Sequence, residues 1–181
     1  MTVHDGTASI DIDALSAAEA EKALPGLADL LVDAVRGGAS VNFMADISHD
    51  DALGFWRGQL PAMRDGMRTL FVAREADGDI VGCVVLTLAP QPNAPYRADI
   101  GKMIVHSRAR RQGLGRRLLE TAERRAFDLG RTLLILDTEA GSAGEALYRR
   151  CGWIGYGTVP GYAYDPHGAP AAATFFYKQL A

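Results

Sequence analysis

The chain has two cysteines in 181 residues, no apolar run close to a membrane span, and no excess of positive charge. Cys83 and Cys151 stand far apart and neither has metal-ligand spacing, so no metal is expected and two reduced thiols are. No stretch approaches the ~20 apolar residues that would cross a bilayer. The start MTVHDGTAS lacks the basic residues and long apolar run of a secretory signal. A cytoplasmic protein with no membrane partner is therefore expected. The net charge of −3 argues against nucleic acid as a partner, because phosphate contacts would have to come from a local patch on an acidic background. The one such patch, Arg108, Arg110, Arg111, Arg116 and Arg117, suits a single anionic small molecule better than a polynucleotide track. Repeats, linkers and low-complexity tracts are missing as well. One domain over 1–181 is expected, long enough to bury a sizeable core, with residues 1–7 frayed.

What is present is organised around Ala98 to Leu129. Ile100, Met103, Ile104 and Val105 form a short apolar run that reads as a buried strand, with Gly101 at a bulge. A helix starts at Gly113, and Leu118, Leu119, Ala122, Ala126 and Leu129 give it an apolar face. Between strand and helix lies Arg110-Arg111-Gln112-Gly113-Leu114-Gly115, followed by Arg116. Its glycines let the backbone approach a ligand, and the N–H groups of a helix start have no partners inside the helix. A pyrophosphate accepting from them is stabilised without a metal. The stretch has no Gly-Lys-Ser/Thr ending for a P-loop, and its single Gly-x-Gly lacks the third glycine of a dinucleotide fingerprint.

The other elements follow in order. Ala8 to Ile12 reads as a first strand, and Ser16-Ala-Ala-Glu19 as a capping box opening a helix that runs to Arg36 and kinks or restarts at Pro25. The loop Gly37 to Asp46 is unusually apolar, with Val41, Phe43 and Met44, and either walls a pocket or plugs the core. Ser48 starts a second helix, with the acidic pair Asp50-Asp51 at its positive end and Gly66 closing it. Thr69 to Arg74 and Ile80 to Leu88 are strands joined by a hairpin at Asp77-Gly78. Thr132 to Asp137 is an apolar strand ending in a carboxylate, and Ser142 starts a short helix that carries Tyr148 and stops before Gly152. The tail from Ile154 to Leu180 reads as two strands around Asp165–Gly168.

The pattern Arg-x-x-Gly-x-Gly between strand and helix resembles the acyl-coenzyme A signature of the GCN5-related N-acetyltransferases, and the element order matches over most of the chain. Within that family GGASVNFMAD, LDTEAGSAGEALY and the PGY near the tail are closest in wording to the tabtoxin-resistance acetyltransferases. The resemblance implies an α/β fold of mixed α+β type. It has a central, mostly antiparallel twisted sheet with one splayed parallel strand pair, flanked by about four helices. It also implies direct acetyl transfer from acetyl-CoA to a small amine in a ternary complex, with detoxification of a toxin or antibiotic as one purpose.

Residue by residue, the resemblance places the cofactor on the backbone of Met103, Ile104 and Val105 and on Arg110, Arg111, Gln112, Gly113, Leu114, Gly115 and Arg116. Backbone donors at Met103–Val105 would stabilise charge on the thioester oxygen. Asp99 and Asp137 match an acidic pair that takes the proton of the amine, directly or through water. Tyr148 matches a general acid, suitable because a phenol with a reference pKa of ~10 is protonated at neutral pH. Phe43, Met44 and Asp46 are the candidate acceptor-binding residues. The chain departs from the family at Gly141, where many members carry an Asn, and at Gly144, which replaces a common Ala. Three alternatives stay open: a non-catalytic acyl-coenzyme A sensor, a protein N-acetyltransferase, and a nucleic-acid-binding module using the Arg patch. The quaternary state is expected to be a monomer or homodimer.

Overall fold

The computed structural model describes residues 10–181. Residues 1–7 and the first two positions of the strand expected at 8–12 lie outside the described residues. Among the described residues seven strands form one sheet: β1 (Asp11–Leu15), β2 (Arg68–Arg74), β3 (Ile80–Leu88), β4 (Arg97–Val105), β5 (Leu133–Glu139), β6 (Ile154–Tyr164) and β7 (Pro170–Gln179), in the order β1-β2-β3-β4-β5-β7-β6. β1 begins later than expected because its partner sets its place, Asp11 pairing with Arg74 and Leu15 with Leu70.

Among the described residues there are six α-helices where the sequence suggests four: α1 (Ala17–Lys22), α2 (Leu24–Arg36), α3 (His49–Arg57), α4 (Leu60–Arg64), α5 (Leu114–Asp128) and α6 (Ala143–Arg150). The two extra helices come from breaks. Pro25 restarts the first helix, as its missing N–H requires. The second helix breaks at Gly58–Gln59, and Pro61 sits in the opening turn of α4, where a missing N–H costs nothing. Ser16 and Ser48 form capping boxes with Glu19 and Asp51, whose carboxylates accept from the cap N–H groups at 2.8 and 3.1 Å.

Helices cover the sheet on both faces. Leu114, Leu118, Leu119, Ala122 and Ala126 of α5 pack on one face with Ala98, Ile100, Leu134, Leu136, Tyr148 and Phe176. On the other, α2 supplies Leu27, Leu30, Leu31 and Val35 against Leu70, Val72, Cys83 and Val85, and the Trp56 indole of α3 donates to the Leu27 carbonyl at 2.9 Å. Each fully buried leucine contributes roughly 1.5–3 kcal/mol, so these stripes fix which face each strand turns inward.

The feature that positions the site is a split in the sheet. β4 and β5 are its one parallel pair, and they are joined over Arg97–Asp99 against Leu133–Ile135 alone. Beyond those residues β4 runs on to Val105 and β5 to Glu139 without pairing to each other. Side chains alternate along a strand, so Asp99, between the buried Ala98 and Ile100, and Asp137, next to Leu136, both turn to the α1–α4 side.

Candidate active site

A cavity of about 820 Å³ runs through the split, from the start of α5 to the β6–β7 hairpin. At one end α5 is capped by Gly113, at a φ of +76°, which has no side chain to cap the helix. The N–H groups of that first turn therefore open onto the cavity with no partner inside the helix. A Cβ at Gly113 would meet nothing within 4 Å, so a side chain there would occupy the open space before the helix. Gly115 has a different reason. A Cβ there would lie 3.1 Å from the Leu147 methyl, so its absence lets α6 close on α5.

The five-arginine patch divides. Arg110, Arg111 and Arg116 line the cavity and Arg150 of α6 joins them. Arg108 is instead held by Glu75 and Asp79 of the β2–β3 turn at 2.9 Å each, and Arg117 donates to the Ile10 carbonyl at 2.6 Å. Gln112 is not on the wall; its amide reaches the Arg108 carbonyl at 3.4 Å. Asp33, at the end of α2, accepts from the Ser107 N–H and hydroxyl, both at 2.8 Å. Partial burial raises its carboxyl, but the Ser107 bonds and the nearby His106 and Arg110 outweigh that and hold it below the ordinary range. This tie fixes the segment between β4 and α5.

In the middle of the cavity Met103, Ile104 and Val105 of β4 face Asp137 of β5 and Tyr148 of α6. Tyr148 is buried against Trp153 and Phe176, with ring centroids 5.9 and 6.1 Å away. Burial, reinforced by the charge of Asp137, pushes its phenol well above the ordinary value, so the hydroxyl stays protonated. Asp99 does not reach the wall. It lies half-buried, and burial raises its carboxyl, with Arg97 opposing and Asp137 adding to the shift. Gly141 has a φ of +77°. Gly144 has a steric reason: a Cβ would lie 3.0 Å from the Thr138 hydroxyl, and α6 could not sit as close to β5.

The loop after α2 bridges the two halves of the split sheet. Ala39, Ser40, Val41 and Asn42 line the cavity; Phe43, Met44 and Asp46 do not. Phe43 is turned edge-on to Phe55 at 5.2 Å, where it packs beneath the loop, while Met44 and Asp46 are exposed. The loop is tied at Val41, whose carbonyl accepts from the Lys102 ammonium at 3.0 Å, and at Ala45, whose N–H donates to the Pro166 carbonyl at 2.8 Å. Lys102 and Tyr162 are wall residues that sequence reasoning missed. Tyr162 follows Gly161, at φ +60°, in a bulge of β6 that brings its ring edge-on to Phe175 at 5.1 Å. The PGY wording was the signal for it.

Residues 40–153 match the family model described as the acetyltransferase (GNAT) family. Among solved structures, the ribosomal-protein-alanine N-acetyltransferase from Brucella melitensis is 25% identical, with a TM-score of 0.74 over 94% of this chain and 99% of that one. The protein yncA from Salmonella typhimurium, solved with its cofactor acetyl-CoA, is 17% identical, with a TM-score of 0.75 over 96% and 95%. An N-acetyltransferase from Staphylococcus aureus Mu50 is 16% identical, with a TM-score of 0.77 over 96% and 99%. The last two likenesses are of fold. No helix among the described residues is long and apolar enough to cross a membrane.

Proposed function

The chain belongs to the GNAT family of acetyltransferases, and on that premise we propose that it transfers the acetyl group of acetyl-CoA to the amine of a small molecule, with both bound at once. The observation that carries this reading is the continuous cavity joining an uncapped helix start to a carboxylate and a phenol across the split strands. The residues fit the cofactor: the first-turn N–H groups of α5, the open Cα of Gly113 and the arginines Arg110, Arg111 and Arg116 suit a pyrophosphate. When bound, acetyl-CoA supplies an acetyl group activated as a thioester.

The chain's own residues divide the remaining tasks. Backbone N–H groups of Met103–Val105 on the side of β4 left without a strand hold the acetyl carbonyl. Asp137, on the cavity wall, takes the proton that the amine must lose. Asp99, raised by burial, accepts from the same side of the sheet through water. Tyr148 keeps a proton at its hydroxyl for the sulfur as it leaves. The loop tied to β4 at Val41 and to the β6–β7 turn at Ala45 walls this cavity with Ala39 to Asn42, which supports a small acceptor over a peptide chain. A toxin or antibiotic amine is the narrower form of this reading, supported by the wording of the loop and of α6.

The test is thiol release from acetyl-CoA across a panel of amines. Amine-dependent release with mass-verified acetylated product is expected. Cofactor binding with no amine-dependent release would favour a sensor.

A further inference from the structure

Lys102 stands where a lysine is costly. It lies inside β4, yet its φ is +47°, in the left-handed region that favours glycine. The strain comes from a bulge. Gly101 pairs with Val85 and Ile104 with Cys83, so β4 fits one residue more than β3 between those pairs. The extra residue restores Ile104 to the α1–α4 side and swings Lys102 out on that same side, toward the loop and α3.

There its ammonium donates to the Val41 carbonyl at 3.0 Å and lies over the rings of Phe55 and Phe43, 5.2 and 5.8 Å from their centroids. No carboxylate among the described residues pairs with it, and burial lowers its pKa, with the more distant Asp137 opposing the shift. A half-buried ammonium with one donor engaged has two left, and Lys102 is a wall residue of the same cavity as Asp137. Lys102 and Asp137 face the cavity from opposite sides of the gap between β4 and β5. Cation and anion flanking one gap form a receptor for a zwitterion.

Resting on the acetyl-transfer reading above, we propose that Lys102 is a specificity-determining residue whose ammonium binds a carboxylate of the acceptor, so that the preferred acceptor is an α-amino acid, its amine toward Asp137. A lone ammonium with two donors to spare suits a monoanionic carboxylate. A phosphate would call for the arginines, and Arg110, Arg111, Arg116 and Arg150 stand at the cofactor end of the cavity. The aromatic rings and the Val41 carbonyl hold the ammonium in place, so little side-chain freedom is lost when the carboxylate arrives.

The experiment compares L-amino acids with their primary amides, in wild type and in Lys102→Met and Lys102→Arg. The backbone strain at this position is the same for all three side chains, so folding is compared fairly by melting curves. Wild type is expected to favour the acids over the amides in kcat/KM by about 10- to 100-fold, the range for a hydrogen bond to a charged group. Lys102→Met should erase that preference with cofactor affinity unchanged, and Lys102→Arg should keep part of it. Equal use of acids and amides by wild type would overturn the proposal. So would a Lys102→Met variant that loses rate on both alike, since Lys102 would then only latch the loop. Binding of the amino acids to the protein saturated with coenzyme A, followed by calorimetry, reads the same contact without turnover. Failure of every amine to release thiol would count against acetyl transfer, while lysine-dependent amino-acid binding would still uphold the carboxylate site, and its absence would sink it.

Discussion

Replacing Tyr148 by phenylalanine removes one oxygen and separates proton donation from packing. The ring keeps its neighbours Trp153 and Phe176, with centroids 5.9 and 6.1 Å away. Among the described residues no protein group accepts from the hydroxyl, so no internal hydrogen bond is lost, and the stability change should stay within about 1 kcal/mol. Catalysis should respond differently. General acids contribute ~10²–10⁴-fold, equivalent to about 3–5 kcal/mol of barrier, so kcat should fall by that order while KM for the acceptor moves little. Because burial drives the Tyr148 phenol upward, it stays protonated through neutral and moderately alkaline pH, and wild type should show no loss of rate from its ionisation there. Steady-state thiol release beside a melting curve measures both quantities. Normal turnover at unchanged stability would refute the assignment and leave Tyr148 as a core aromatic.

Three further outcomes follow from the geometry. Asp137→Asn should slow transfer mainly below the pH at which the acceptor amine deprotonates by itself, and Asp99→Asn should do so less; pH profiles indistinguishable from wild type would make both carboxylates structural. Glu123, buried on α5, accepts from the Trp153 indole at 2.8 Å and the Lys178 ammonium at 2.7 Å, so Glu123→Ala should destabilise by ~3 kcal/mol or more in denaturant melts. Asp33 has a lowered pKa, so its contribution to stability is complete above the ordinary carboxylate range and is lost as pH falls through its folded value. Asp33→Asn should flatten that acid limb, and an unchanged limb would place the acid sensitivity elsewhere.

Local rules made much of this legible. Ser16, Ser48 and Ser142 cap the helices they were expected to open, because a cap and its partner lie within one turn. Gly113 opens α5 and β4 ends at Val105, where its apolar run stops, while β5 runs two residues past the expected end at Asp137 because β7 pairs with it as far as Glu139. What stayed hidden depends on distant partners. Arg108 reads as part of the anion patch until the β2–β3 turn brings Glu75 and Asp79 to it. Phe43 reads as a pocket residue until Phe55 meets it edge to face beneath the loop. The bulge was expected at Gly101 because glycine is the usual bearer of unusual backbone, yet the left-handed residue is its neighbour Lys102.

The central claim is that the open start of α5 receives acetyl-CoA, and calorimetric titration of wild type and Gly113→Leu with acetyl-CoA tests it most directly. The leucine adds left-handed strain of about 1–2 kcal/mol, too little to unfold most domains of this size, and a side chain in the space before the helix. Wild type should bind and melt higher with ligand, by about 2.7 kcal/mol at one hundred times the dissociation constant. The variant should stay folded and lose that binding. Full acetyl-CoA affinity in a folded Gly113→Leu, or no binding by wild type, would contradict the account.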